Sequence, residues 1–222
     1  VKVLAFLFII FSSSIMANQN FNCLQDAMNN LNDLKRIDQS FQYASALNSN
    51  YENNSGPVLN NLLTQSKSGK APDSYTLNSA QVLKNSYYFE VTRTKEMLED
   101  FEKYSTHKDF LNRFNACLTE DVKNKCQSVL NQFSKTITTI ESLSDVGTQK
   151  INDILSNSDL LFSKIQSDAD TNTPVNLLEY DNLILSIRGQ FHSITVVNKS
   201  IYKDVNELDL FIRQDLIMCL FK

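Results

Sequence analysis

The chain has 222 residues, 42% of them apolar and 21% charged, enough to bury one or two ordinary cores and too apolar for a disordered polyampholyte. Only 4 Gly and 3 Pro occur, a shortage that argues against turn-rich all-β sandwiches and barrels. With 21 basic and 25 acidic side chains the net charge is −4, which gives no electrostatic reason to expect nucleic acid or anionic lipid as a partner.

The first element in chain order is a leader. Lys2 precedes the apolar run Val3 to Phe11, and Ser12-Ser13-Ser14-Ile15-Met16-Ala17 then gives way to a polar stretch from Asn18. This pattern predicts a secretory signal peptide over residues 1–17 with cleavage after Ala17, since an apolar run this short falls below the about 20 residues of a membrane span. No later run is long enough to span, the longest near the C-terminus being Leu216 to Phe221. The mature chain, residues 18–222, is expected in an extracellular or secretory compartment.

Four arms of helical periodicity follow. The first carries Leu24, Met28, Leu31, Leu34, Ile37, Phe41, Ala44 and Leu47, is expected to break at Asn53-Asn54-Ser55-Gly56-Pro57, and resumes through Leu62 and Leu63. The second carries Leu77, Ala80, Leu83, Tyr87, Val91, Leu98, Phe101 and Tyr104, with an expected break near Ser105-Thr106 before Leu111, Phe114 and Cys117. The third is predicted over 121–168, from Val122, Cys126, Val129, Phe133, Ile137 and Ile140 to Ile165, with a weak point at Gly147. The fourth is predicted over 174–221, from Leu177, Tyr180, Ile184, Ile187, Phe191 and Ile194 to Cys219, as one long helix or a helix with one soft point at Gly189, with only Asn198 and Asp215 polar along its seam.

Short connections at 66–73, 119–120 and 170–173 force antiparallel neighbours. The expected fold is all-α: an elongated antiparallel up-down-up-down four-helix bundle as a single domain, with arms of roughly 70 Å. That topology brings Cys23, Cys117, Cys126 and Cys219 to one end, where an oxidising compartment would join them as two disulfides. The spacings 23 to 126, 72 to 174 and 117 to 219 suggest duplicated hairpins, residues 18–118 and 119–222, with Val82 matched to Ile184, Leu83 to Leu185, Phe89 to Phe191 and Phe114 to Leu216. Duplication favours Cys23–Cys117 with Cys126–Cys219, while the same geometry permits Cys23–Cys219 with Cys117–Cys126.

The third connection holds the clearest motif. Asp168, Asp170, Asn172, Asn176 and Glu179 place oxygen side chains at positions 1, 3, 5, 9 and 12 of a loop that resembles an EF-hand calcium site. It departs from that pattern at Thr173, which stands where a Gly with positive φ belongs and fits better as an N-cap before Pro174. The competing reading is an acidic interhelical turn, with Asp168 and Asp170 ending one helix and Glu179 in the first turn of the next. Asn53-Asn54-Ser55 and Asn198-Lys199-Ser200 are glycosylation sequons, Asn53 the better acceptor.

The remaining polar groups point away from catalysis. Glu96, Glu99, Asp100 and Glu102 read as a solvated helix face, His107 and His192 have no ligand partner at helical spacing, and the scattered glycines build no phosphate loop. Tyr87, Tyr88 and Phe89 are the densest aromatic cluster and the first choice for a partner surface. The expected function is therefore non-enzymatic binding or structural assembly through helix faces, with a protein partner or a second copy of the chain and no cofactor. Alternatives are a calcium-responsive secretory-granule or matrix protein and a carrier of an apolar ligand in the bundle core.

Overall fold

The computed structural model describes the backbone of residues 2–104 and 107–220, and side chains for 21–47, 49–51, 53–99 and 110–220. The leader's side chains, the expected break at Ser105-Thr106, and Phe101, Tyr104, Asp100, Glu102 and His107 as side chains lie outside these residues. The described chain is all-helical, with no strand. Helix α1 spans Lys2–Lys67, α2 Ser74–Tyr104, α3 His107–Cys117, α4 Glu120–Asp170 and α5 Leu177–Phe211; a π-helical turn, Ile212–Leu216, leads into the short α6, Ile217–Leu220. Two disulfides, Cys23–Cys117 and Cys126–Cys219, close loops with sequence separations of 94 and 93, and no described cysteine is free.

Helix ends follow their local chemistry. Asp73 caps α2, its Oδ1 accepting from the Thr76 amide at 2.9 Å, and Thr119 caps α4 by accepting from the Val122 amide at 3.5 Å. Glu120 and Asp121 occupy the first turn of α4, where the helix dipole favours acids. Helix α5 starts at Leu177 rather than at the predicted 174, because Asn176 and not Thr173 makes the start: its carbonyl accepts from the Glu179 amide at 3.1 Å.

The expected break at 53–57 does not occur, and neither Gly147 nor Gly189 interrupts its helix. Helix α1 runs unbroken through Pro57, although proline removes one backbone donor and crowds the preceding turn. Tyr51, Ser55, Val58, Leu62 and Gln65 on that stretch are all buried, and this continuous packed face outweighs the local penalty. Gly147 is no weak point either: α4 passes through it, and a Cβ there would overlap the ring of Phe41. Helix α5 likewise continues through Gly189, which is exposed with nothing within 4 Å of a Cβ.

The seam of the last arm is also redrawn. Phe211 and Ile212 are both buried, and the wide π turn carries the buried line on to Leu216 and Leu220, leaving Asp215 exposed. Upstream the line passes through Val197, with Asn198 half-buried beside it.

The chain divides into two compact units. One comprises residues 1–38, 101–143 and 201–222. It contains both disulfides and a cluster of Phe110, Phe114, Phe133 and Phe211 with ring centroids 5.2–5.9 Å apart. Lys35 and Asp209 pair at 3.1 Å at its margin. The other comprises residues 39–100 and 144–200. Its core contains the ring of Phe41 seated on Gly147, a triangle of Tyr51, Tyr87 and Phe191, and the aliphatic side chains of Leu62, Leu83, Ile154 and Ile184.

The burial patterns of the two chain halves correspond, but at no single offset throughout. Buried Cys23, Ala27, Leu34, Tyr51, Leu62 and Gln65 are matched 103 residues later by buried Cys126, Leu130, Ile137, Ile154, Ile165 and Asp168. In the returning arms the offset is 104 near the turns, where Thr76, Ala80, Leu83 and Tyr87 match Tyr180, Ile184, Ile187 and Phe191. It falls to 102 at Phe114 and Leu216. The expected pairs Val82–Ile184, Leu83–Leu185 and Phe89–Phe191 are therefore wrong: each joins an exposed residue to a buried one.

Candidate interaction face

Helix α2 turns one line of residues inward. Thr76, Ala80, Leu83, Tyr87, Val91, Thr94 and Leu98 recur at steps of three and four and are all buried. Out of phase with that line stand Tyr75, Val82 and Phe89, exposed by 63%, 68% and 67%. Residues seven apart on an α-helix drift only about 20° per step, so these three form one stripe of roughly 21 Å. Its neighbours Ser74, Asn78, Gln81, Asn85 and Ser86 are exposed and uncharged, and only Lys84 and Glu90 carry charge between positions 74 and 92. An aromatic and aliphatic stripe depleted of charge has the composition of an interface core.

The expected cluster of Tyr87, Tyr88 and Phe89 is split by this geometry. Tyr87 is in the core, Tyr88 is half-buried with the Lys84 ammonium 6.0 Å from its ring centroid, and Phe89 alone is exposed. Consecutive helical residues stand about 100° apart and cannot share a face. The heptad spacing of Tyr75, Val82 and Phe89, out of step with the core period, is the signal that would have located the stripe. On α5, Leu178 and Leu185 repeat its first two members, exposed by 68% and 53%, with exposed His192 following at the third position.

The two interhelical turns of this unit share one construction. At the end of α1 the Gly69 amide donates to the Ser66 carbonyl at 3.1 Å and the Lys70 amide to the Gln65 carbonyl at 2.9 Å, with Gly69 at φ +62°. At the end of α4 the Asn172 amide donates to Ala169 at 3.2 Å and the Thr173 amide to Asp168 at 2.8 Å, with Asn172 at φ +53°. Both are Schellman caps, in which a left-handed residue satisfies the last helical carbonyls. Each turn is braced by a buried side-chain hydrogen bond: Gln65 Nε2 donates to Thr76 Oγ1 at 2.8 Å, and the Tyr180 hydroxyl donates to Asp168 Oδ2 at 2.6 Å. A backbone bond joins the turns, the Val175 amide donating to the Lys70 carbonyl at 3.0 Å.

The predicted calcium ligands lie in the second turn, and an ammonium stands between two of them. Lys164 Nζ is 3.1 Å from Asp168 Oδ2 and 2.6 Å from Glu179 Oε2, and lies 5.2 Å from the Tyr180 ring centroid. The hydrogen bond and charge of Lys164 hold the Glu179 carboxyl below its ordinary pKa, and the Glu179 and Asp168 carboxylates raise that of Lys164. Asp170 instead accepts from Gln166 at 2.8 Å, Asn176 donates to Glu179 at 2.8 Å, and Asn172 serves as the left-handed cap residue. Positive φ falls one residue before Thr173. Among the described residues no three His, Cys, Asp or Glu side chains are grouped to hold a metal ion. As the turn reading expects, α4 ends at Asp170 and Glu179 lies in the first turn of α5.

Of the sequons, Asn53 is exposed but its Ser55 is buried within continuous α1, and Asn198 is half-buried. Glu96 and Glu99 are exposed, with Lys95 pairing Glu99 at 3.4 Å. A groove of about 590 Å³ lies between α2 and the end of α4. Gln81, Lys84, Gln166 and Asp170 line it beside Phe162, a polar setting for an apolar ligand. No described helix is long and apolar enough to cross a membrane. No protein-family model matches the chain, and no match was found among curated proteins or solved structures.

Proposed function

We propose that this is a secreted, non-enzymatic helical-bundle protein that acts by binding or structural assembly through helix faces, and that the α2 stripe is the face it uses. The observation that carries the reading is the stripe itself: Tyr75, Val82 and Phe89 exposed in one line and rimmed by uncharged side chains. Two disulfides suit an oxidising compartment and support the leader as a signal peptide.

The finer architecture in this reading is an antiparallel up-down-up-down bundle built from two duplicated hairpins, residues 18–118 and 119–222. Matched burial, matched Schellman caps and a disulfide closing each half support it.

Site-specific photo-crosslinking in the secreting cell tests the function. A photoreactive residue at Phe89 should give a discrete crosslinked product, to a second copy or to another protein, and the same group at exposed Asn131 should not. Val82→Glu with Phe89→Glu should abolish that partnership while leaving the melting curve within about 2 °C of the parent, surface changes being worth about 0.5 kcal/mol. Equal crosslinking from both positions, or none from Phe89, would overturn the assignment.

A further inference from the structure

The core around Tyr51 contains hydroxyls that the protein itself leaves unpaired. Tyr51 of α1, Tyr87 of α2 and Ser158 of α4 are 1%, 3% and 1% exposed. The two phenol rings lie 4.8 Å apart, and Phe191 closes the triangle at 5.9 and 5.6 Å. Tyr51 Oη, Tyr87 Oη and Ser158 Oγ are each buried with no hydrogen-bond partner among the described residues. Ser158 is near enough to Tyr87 to ease its ionised form, yet the two do not meet in the geometry of a formed bond. Burial raises both phenols above their ordinary pKa, that of Tyr51 being partly relieved by the charge of Arg188 on α5. The Nε atom of Arg188 is also buried without a partner.

Buried hydroxyls in native proteins are almost always paired, through protein or through ordered water. Shape does not demand hydroxyls here. At the corresponding positions of the other chain half stand Ile154 and Phe191, which fill the same core with carbon alone. We propose that Tyr51, Tyr87 and Ser158 form a binding site for an internal water, which joins α1, α2 and α4 through hydrogen bonds that the side chains do not make to each other. Such a water has three polar partners, within the usual two to four.

The test is a high-resolution crystal structure of the oxidised protein, together with melting of the Tyr51→Phe, Tyr87→Phe and Ser158→Ala variants. The expected result is one solvent peak within hydrogen-bond distance of the three oxygens. It should be lost in the Tyr51→Phe, Tyr87→Phe double variant, and each single variant should melt about 2–4 °C lower. A dry core, with Tyr87 bonded directly to Ser158 or to Tyr51, would overturn the site. So would phenylalanine variants that melt higher than the parent, because deleting a hydroxyl that is truly unpaired is stabilising. If a variant fails to fold, the parent crystal structure alone still decides between the wet and dry cores.

Discussion

Substituting alanine at Gly147 and at Gly189 should move stability in opposite directions. Both glycines lie inside long continuous helices, and in each case alanine adds up to about 1 kcal/mol of helix propensity. At Gly189 nothing lies within 4 Å of the new methyl, so the gain stands and melting should rise by about 2–4 °C. At Gly147 the methyl overlaps Cε1 and Cζ of Phe41, a ring with 0% exposure that would have to move within the core. Overpacking of that kind costs about 1–3 kcal/mol, which cancels the gain and turns the same substitution into a net loss of up to roughly 2 kcal/mol. Melting should fall, by up to about 8 °C. Calorimetry with the disulfides intact reads both shifts, and urea melts establish that the m-value is unchanged. Phe41→Leu combined with Gly147→Ala should recover part of the loss, as expected for two residues in direct contact. A rise at Gly147 equal to that at Gly189 would refute the notch.

Other consequences can be measured on the same material. Each disulfide closes a loop of more than 90 residues, worth about 4–5 kcal/mol in chain entropy, so reduction should lower urea midpoints severely; an unchanged midpoint would contradict that. The Thr76 amide holds the Asp73 carboxyl below its ordinary pKa, so the cap's contribution is present above the unfolded value near 4 and disappears as the pH falls through the depressed folded value. Asp73→Ala should therefore cost about 1 kcal/mol at pH 7, and the gap between variant and parent should close in acid. Because Lys164 already joins Asp168 to Glu179, millimolar calcium should leave the melting temperature of the parent unmoved, whereas Lys164→Met should destabilise by stranding the buried Asp168; a calcium-dependent rise in the parent would sink this view.

Periodicity made the helices legible, because apolar residues at steps of three and four over tens of positions admit no other element. Local breakers misled where tertiary packing was strong. Pro57 and Gly147 both looked like interruptions, and in both cases the neighbouring buried side chains decide: a continuous core face carries the helix through Pro57, and the Phe41 ring requires the glycine. Cysteine count implied two bridges but left three pairings, and choosing among them needed distances that only the folded chain has. Asp215 was read into the seam because an α-helical period assumes 3.6 residues per turn, and the π turn at 212–216 does not keep it. The calcium-like spacing of 168–179 was real as a pattern. Its meaning depends on Lys164, which lies outside the twelve residues and reaches them only when α4 and α5 come together. The stripe on α2 is masked in the sequence by three adjacent aromatic residues, since its own members stand seven apart.

The disulfide pattern makes the chain two closed covalent rings threaded on one backbone. Residues 23–117 form one ring and 126–219 the other, and between them the only covalent tie is the backbone from Leu118 through Lys125. A protease that cuts inside either ring leaves one covalently joined molecule, heavier by a single water, until it is reduced. A cut in the tie leaves two separately closed pieces with no covalent bond between them. Between Cys23 and Cys219 the tie is therefore the stretch at which a single hydrolysis divides the covalent molecule while leaving both rings closed.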